Sequence, residues 1–332
     1  MTRLVVSMIL AIACCMPCLS QTTKKSPQQS PERLESQFLE LLSAGKQSDA
    51  EKLLNTNIKN YKNNQRVVFL LACCVRSRFM VRDAAPIFKA VVNMGTNSPT
   101  GQCAFHILYL DAKKDSDQHF SALRDLAENN PDDLMLRWMM AVQCRTYDKN
   151  EEGCKHYAYL LKKWSPGPVL VHQTYGNLLD KLNRFEEALV ERRKAVELEP
   201  AGWSYQGLGD TLVSLSRFKE ANEAYSKSVE LAPEDPSYWR SWARGLGQEK
   251  RYPEAIAKCK KALSINPKDY KALGSWGWYL EAQGKIKEAI EKFKEALAIN
   301  SSYEYAKNHM KNLETQIAAQ HAPASNERKD SK

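Results

Sequence analysis

The sequence predicts an all-α chain, a solenoid of about eight helix pairs closed by a final helix. Three observations carry that reading. Apolar residues recur at i, i+3, i+4 and i+7 almost throughout, and no stretch alternates as a strand would. One segment is written four times, as RFEEALVERRKAVELEP, RFKEANEAYSKSVELAP, RYPEAIAKCKKALSINP and KIKEAIEKFKEALAINS, ending at Pro200, Pro233, Pro267 and Ser301. Within it Ala188, Ala221, Ala255 and Ala289 hold equivalent places, at spacings of 33, 34 and 34 residues.

Residues 1–20 read as a signal peptide. Arg3 supplies the basic start, Leu4 to Ala13 an apolar run of ten, and Cys18-Leu19-Ser20 the small residues before a cut. Ten apolar residues are too few to span a bilayer, which takes about 20. AIAC, ending at Cys14, also resembles a lipoprotein box, so a lipid anchor at Cys14 is the variant reading. Both readings predict export, to a periplasmic, extracytoplasmic or secreted location. Residues 21–31 (QTTKKSPQQSP) read as a flexible linker and 320–332 as a disordered tail, since neither can bury apolar surface. Degenerate repeats are expected over 32–166, four regular ones over 167–302 and a capping helix over 303–319.

Each regular unit carries one small residue on its first helix, at Gly176, Gly209, Ala243 and Gly277, and two on its second. Small side chains let two antiparallel helices approach closely, and the terminal proline stops the second helix. Seven residues beyond each second-helix alanine come Ala195, Ser228, Ala262 and Ala296, with Arg192, Tyr225, Cys259 and Phe293 between. The same period runs back more faintly through starts near Leu134, Thr100, Gln65 and Pro31. Ala141, Gly153 and Tyr157 keep the pattern in one of these units, and Ala72, Ala84 and Phe88 in another. His119 stands where a small residue belongs. This pattern resembles the tetratricopeptide repeat (TPR) family of 34-residue helix–turn–helix units, which implies a right-handed α-solenoid.

Chemistry finds no foothold in the motifs. HExxH, GxSxG, Walker and GxGxxG patterns are all missing, and Cys154-x-His156 lacks an Asn or Asp at a known spacing. No enzyme, cofactor or metal site is therefore expected. Six cysteines follow the leader without a CxxC; Cys144 and Cys154, on adjacent helices, could pair or stay as buried thiols. The net charge is +9, but the lysines sit beside glutamates, as on a solvated helix face. Trp138, Trp164, Trp239, Trp242 and Trp276 read as packing residues.

The TPR resemblance implies that first helices line a concave face through their second, fifth, ninth and twelfth positions. These are Gln173, Asn177 and Asp180 in the fifth unit, and Trp203, Gln206 and Asp210 in the sixth. The seventh gives Arg240 and Arg244; the eighth gives Lys271, Trp278 and Glu281. Gln173 departs from the lysine of the family's carboxylate clamp. Arg240 and Arg244 share a helix face and suit an acidic peptide or a free C-terminal carboxylate. Their alternative is internal pairing with Asp210 and Glu281. The expected role is a non-catalytic scaffold or adaptor for a protein or peptide partner, not for nucleic acid. The alternative is an accessory subunit, docked through its N-terminal half to an envelope enzyme or a secretion machine.

Overall fold

The computed structural model describes residues 30–77, 81–112 and 116–321. The leader, Cys14, most of the linker and residues 322–332 of the tail lie outside them. The described residues are helical, with no strand. Eight helix pairs run in order, followed by one last helix. The first five pairs are α1 (Pro31–Ser43) with α2 (Gln47–Asn57), α3 (Gln65–Ser77) with α4 (Val81–Asn93), α5 (Pro99–Asp111) with α6 (Ser116–Asn129), α7 (Leu134–Thr146) with α8 (Asn150–Lys163), and α9 (Val169–Lys181) with α10 (Phe185–Leu198). The other three are α11 (Gly202–Ser214) with α12 (Phe218–Leu231), α13 (Pro236–Gln248) with α14 (Tyr252–Ile265), and α15 (Tyr270–Ala282) with α16 (Ile286–Ile299); α17 (Glu304–His321) ends the series. This is an all-α repeat solenoid.

Two compact units make up the chain, residues 1–199 and 200–332. That division falls one pair later than the change of repeat regularity at 166/167. The fifth pair belongs to the first unit because its first helix packs on the pair before it: Tyr157 stacks on Tyr175, and a Cβ on Gly153 would meet Leu178 at 2.8 Å. Gln47, at the start of α2, also accepts from the Leu170 N–H at 3.4 Å.

Short polar residues start several helices. Ser30 and Ser98 accept the N–H of Arg33 and Gly101, and Pro31 and Pro99 follow them where a missing N–H costs nothing. Asp133, Asp235 and Asp269 cap α7, α13 and α15 in the same way. Pro31, assigned to the linker from the sequence, is already the first residue of α1.

Glycine permits the close approach of paired helices. A Cβ at Gly209 would lie 2.8–2.9 Å from the Tyr225 ring, and one at Gly277 would lie 2.8–3.0 Å from Phe293. Gly176 faces Arg192 in the equivalent place. Three pairs are also latched between first and second helix at one equivalent place. Arg137 with His156, and His172 with Glu191, share a spacing of 19 residues. Trp239 and Lys258 fill the same slot by a cation–π contact at 5.4 Å. Gly277→Ala should cost about 1–3 kcal/mol by overpacking, checked by urea unfolding, with helix content unchanged.

The units differ in what their first helices do. In the first unit α3 touches both α5 and α7, its second neighbour. Val67 to Cys74 on α3 are all buried, as are Trp138 to Cys144 on α7. Helices buried on every side carry no polar face, and neither of these does. Arg66, near the start of α3, bridges Glu35 of α1 and Asp133 at the head of α7, both at 2.7 Å. Arg76, near its end, reaches Asp111 of α5 at 2.9 Å and Gln143 of α7 at 3.4 Å. The face that would line a groove is thus packed shut over these pairs. In the second unit the first helices meet in sequence, α11 with α13, α13 with α15 and α15 with α17.

Candidate functional site

The eleven groove candidates divide between the units. Gln173, Asn177 and Asp180 are on α9 in the first; the other eight are on α11, α13 and α15 in the second.

On α9 the candidates serve the fold. Arg192 of α10 is buried, with a side chain 3% exposed, and ion-pairs with Asp180 at 2.8 Å. It also donates to Asn177 Oδ1 at 2.7 Å and to the Gln173 carbonyl at 3.2 Å. Arg192 stands at the place of Tyr225 and Phe293, where the helix pair needs bulk, and its charge demands acceptors. The α9 polar residues supply them.

In the second unit the internal pairing is specific. Arg244 meets Asp210 at 2.6 Å, and the Tyr225 hydroxyl donates to the same Asp210 Oδ1 at 2.5 Å. Burial and the neighbouring carboxylate push the Tyr225 phenol far above its usual range, so it stays a donor. Arg244 is held charged mainly by Asp210. Its side chain is nevertheless 60% exposed, so the guanidinium keeps donors for a ligand. Arg240 pairs with Asp269, whose side chain is only 5% exposed and whose Oδ1 caps α15 through the N–H groups of Lys271 and Ala272. Glu281, a candidate counter-ion for these arginines, instead meets His309 of α17 at 2.7 Å. Gln206 donates to Ser241 Oγ at 2.6 Å.

Lys271 is exposed, lies 6.0 Å from the Tyr270 ring and makes no ion pair among the described residues. Trp203 is half-buried on α11. Trp278 is half-buried too, edge-on to Tyr252 at 6.1 Å. Arg244 and Lys271, with two partly exposed indoles, are therefore the groups of this face available to a partner. His309 and Tyr305 of α17, their rings 4.5 Å apart and tilted by 45°, extend it, with His309 on Glu281. The sequence reading did not include them; the signal was the aromatic run YEY at 303–305, taken only as a cap.

Away from this face, Cys144, Glu152 and His156 bring ligand-type atoms within 4.8 Å. The surroundings oppose a cation. Arg124 clasps Glu152 by two bonds of 2.5 and 3.0 Å. Arg137 faces His156 Nδ1 at 3.3 Å; as Arg137 can only donate, the ring proton sits on Nε2, the nitrogen turned toward Glu152. Burial, then Arg137, push the His156 pKa down to about 4, and burial pushes the Cys144 thiol up. His156 thus pairs across to α7 rather than with Cys154. All six cysteines of the described residues are buried and none is in a disulfide, Cys154 raised to about 11 and Cys259 to about 12 by burial. None of the six should react with a thiol reagent at neutral pH until the chain is unfolded.

The fold and the site define a helix–turn–helix repeat protein. Residues 207–270 match the tetratricopeptide repeat family model, and the helix pairs on either side repeat the same helix–turn–helix unit. Among solved structures it is similar to a chain of the APC/C hetero-tetramer Cut9–Hcn1, at 14% identity and a TM-score of 0.63. That match covers 86% of this chain and 56% of the other, so the chain spans just over half the length of its relative. YrrB, a TPR protein with an unusual peptide-binding site, is matched at 21% identity and TM-score 0.42, over 57% of this chain and 98% of YrrB. The first TPR of Spaghetti, bound to an HSP90 peptide, is matched at 20% identity and TM-score 0.33, over 35% of this chain and 93% of that one. No curated protein matches the sequence.

Proposed function

We propose that the chain is a non-catalytic interaction scaffold that captures an acidic peptide or protein segment on the first-helix face of its second unit. The observation that carries this is the pair of accessible cations, Arg244 at 60% side-chain exposure and Lys271 with no ion pair among the described residues, on first helices that also carry or adjoin the half-buried Trp203 and Trp278. Arginine and lysine supply charge-assisted bonds to carboxylates, and tryptophan supplies the apolar anchor of an interface hot spot. A free C-terminal carboxylate is one form of such a ligand. Export is part of the proposal and rests on the leader sequence, with release as a soluble chain or retention by lipid at Cys14 as its two forms.

The structure changes which variant tests this. Arg240→Ala would strand Asp269 and loosen the cap of α15, so a loss of binding there would be ambiguous. Arg244→Ala with Lys271→Ala touches neither. Capture of an acidic segment should fall in that variant with helicity unchanged, and unaltered capture would remove the proposal. A second reading, a subunit docked through its N-terminal half, draws on the first unit's closed packing, which leaves its outer surface for contact. Cross-links from a captured partner spread over 31–166, rather than over 203–281, would favour it.

A further inference from the structure

The first unit has a cavity of about 500 Å3 where α6 and α8 pass the start of α7, lined by Arg124, Arg137, Glu152, Lys155, His156 and Tyr159 among others. Arg124 is neutralised there by Glu152. Arg137 is not. Its N–H groups are held by uncharged acceptors, His156 Nδ1 at 3.3 Å and the Ala127 carbonyl at 3.2 Å, and its guanidinium lies 4.1 Å from the Tyr159 ring centroid. No carboxylate pairs with it among the described residues, nor with Lys155, which is exposed at the rim.

An arginine fixed by stacking and by neutral partners, and lacking a counter-ion, has met its ordering cost before any anion arrives. We infer that this cavity is a carboxylate-binding site, with Arg137 as the receptor and Lys155 at its mouth. The lining selects that class. Arg124, Arg137 and Lys155 face Glu128 and Glu152, so one positive charge is left over, which a single carboxylate cancels and a phosphate dianion would overshoot. The same guanidinium groups that repel a metal from Cys144, Glu152 and His156 attract an anion here. The site lies in the other unit from the face proposed above and stands independently of it.

His156 reports occupancy. The charged and titratable groups around it are Arg124 of α6, Arg137 and Cys144 of α7, and Glu152 of its own helix, with Glu128 and Lys155 at the cavity wall. Arg137 contributes to the low pKa of about 4, so an anion on Arg137 must raise it. The test is an NMR titration of His156 in the full chain, in sodium acetate and in sodium chloride of equal ionic strength. Acetate should raise the His156 pKa by about 1 unit relative to chloride. Arg137→Gln should raise the starting value and abolish the acetate response. Lys155→Gln, which disturbs no packing, should weaken the response several-fold and covers the case in which the Arg137 variant fails to fold. A blocked aspartate peptide that acts at lower concentration than acetate identifies a partner's side chain; acetate acting alone identifies a free organic acid. Equal His156 titrations in acetate and chloride, or a full acetate response in either variant, would overturn the inference.

Discussion

Arg76→Met should destabilise the first unit by about 3–5 kcal/mol, the largest stability effect expected of any single change in this chain. Arg76 is 1% exposed, and its partners Asp111 and Gln143 lie on different helices, α5 and α7. Burial works against both charges of the pair, lowering the pKa of Arg76 and raising that of Asp111. Removing the guanidinium leaves the Asp111 carboxylate, 11% exposed, without its counter-ion. The double variant Arg76→Met with Asp111→Leu should recover most of the loss, because replacing both members of a buried pair by apolar groups is often neutral. Urea unfolding of the single and double variants reads both quantities. A double variant as unstable as the single would show that the helix contacts, rather than the stranded charge, set the cost.

Reversing the two accessible cations, Arg244→Glu with Lys271→Glu, should weaken capture of an acidic peptide by about a hundredfold or more. Each charge-assisted bond contributes roughly 1.5–3 kcal/mol, and about 1.4 kcal/mol is tenfold in affinity. Arg244→Glu also sets a carboxylate against Asp210, whose Oδ1 still accepts from the Tyr225 hydroxyl. The change is therefore best read beside the alanine pair, which removes the donors without adding repulsion. Loss with glutamate but not with alanine would mean that local repulsion, and not ligand contact, is being measured. Loss with both, in a chain of unchanged helicity, identifies the contacts.

The period was legible because it is made by packing residues. Ala221, Ala255 and Ala289 are buried at 0–2% exposure, and Gly209 and Gly277 lie where nothing larger fits. Those requirements repeat every 34 residues, so they appear in the sequence as a pattern. The closure of the first unit was not read, although its signal was present. VVFLLACC and the WMMAV run of α7 are buried throughout, and an amphipathic helix lining an open groove would have interrupted them with polar residues. Charge partners were harder still. That Arg240 meets Asp269 rather than Glu281, or that Arg192 takes Asn177 and Asp180, depends on side-chain reach across helices, and register alone does not give it. Three of the eleven candidates lie on α9 in the first unit, where Arg192 claims Asn177, Asp180 and the Gln173 carbonyl, because the family position predicts a direction and not a competitor.

The most direct test of the account is to map where an acidic peptide sits. A photoreactive peptide of alternating Glu and Leu would be cross-linked to the full chain carrying Arg137→Gln, which silences the carboxylate site of the first unit. Adducts should concentrate on α11, α13 and α15, around Trp203, Arg244, Lys271 and Trp278, and should vanish in the Arg244→Ala, Lys271→Ala variant. Adducts spread over α1–α10, or equal labelling by a peptide of alternating Lys and Leu, would contradict the assignment of the second unit's first-helix face as the place of capture.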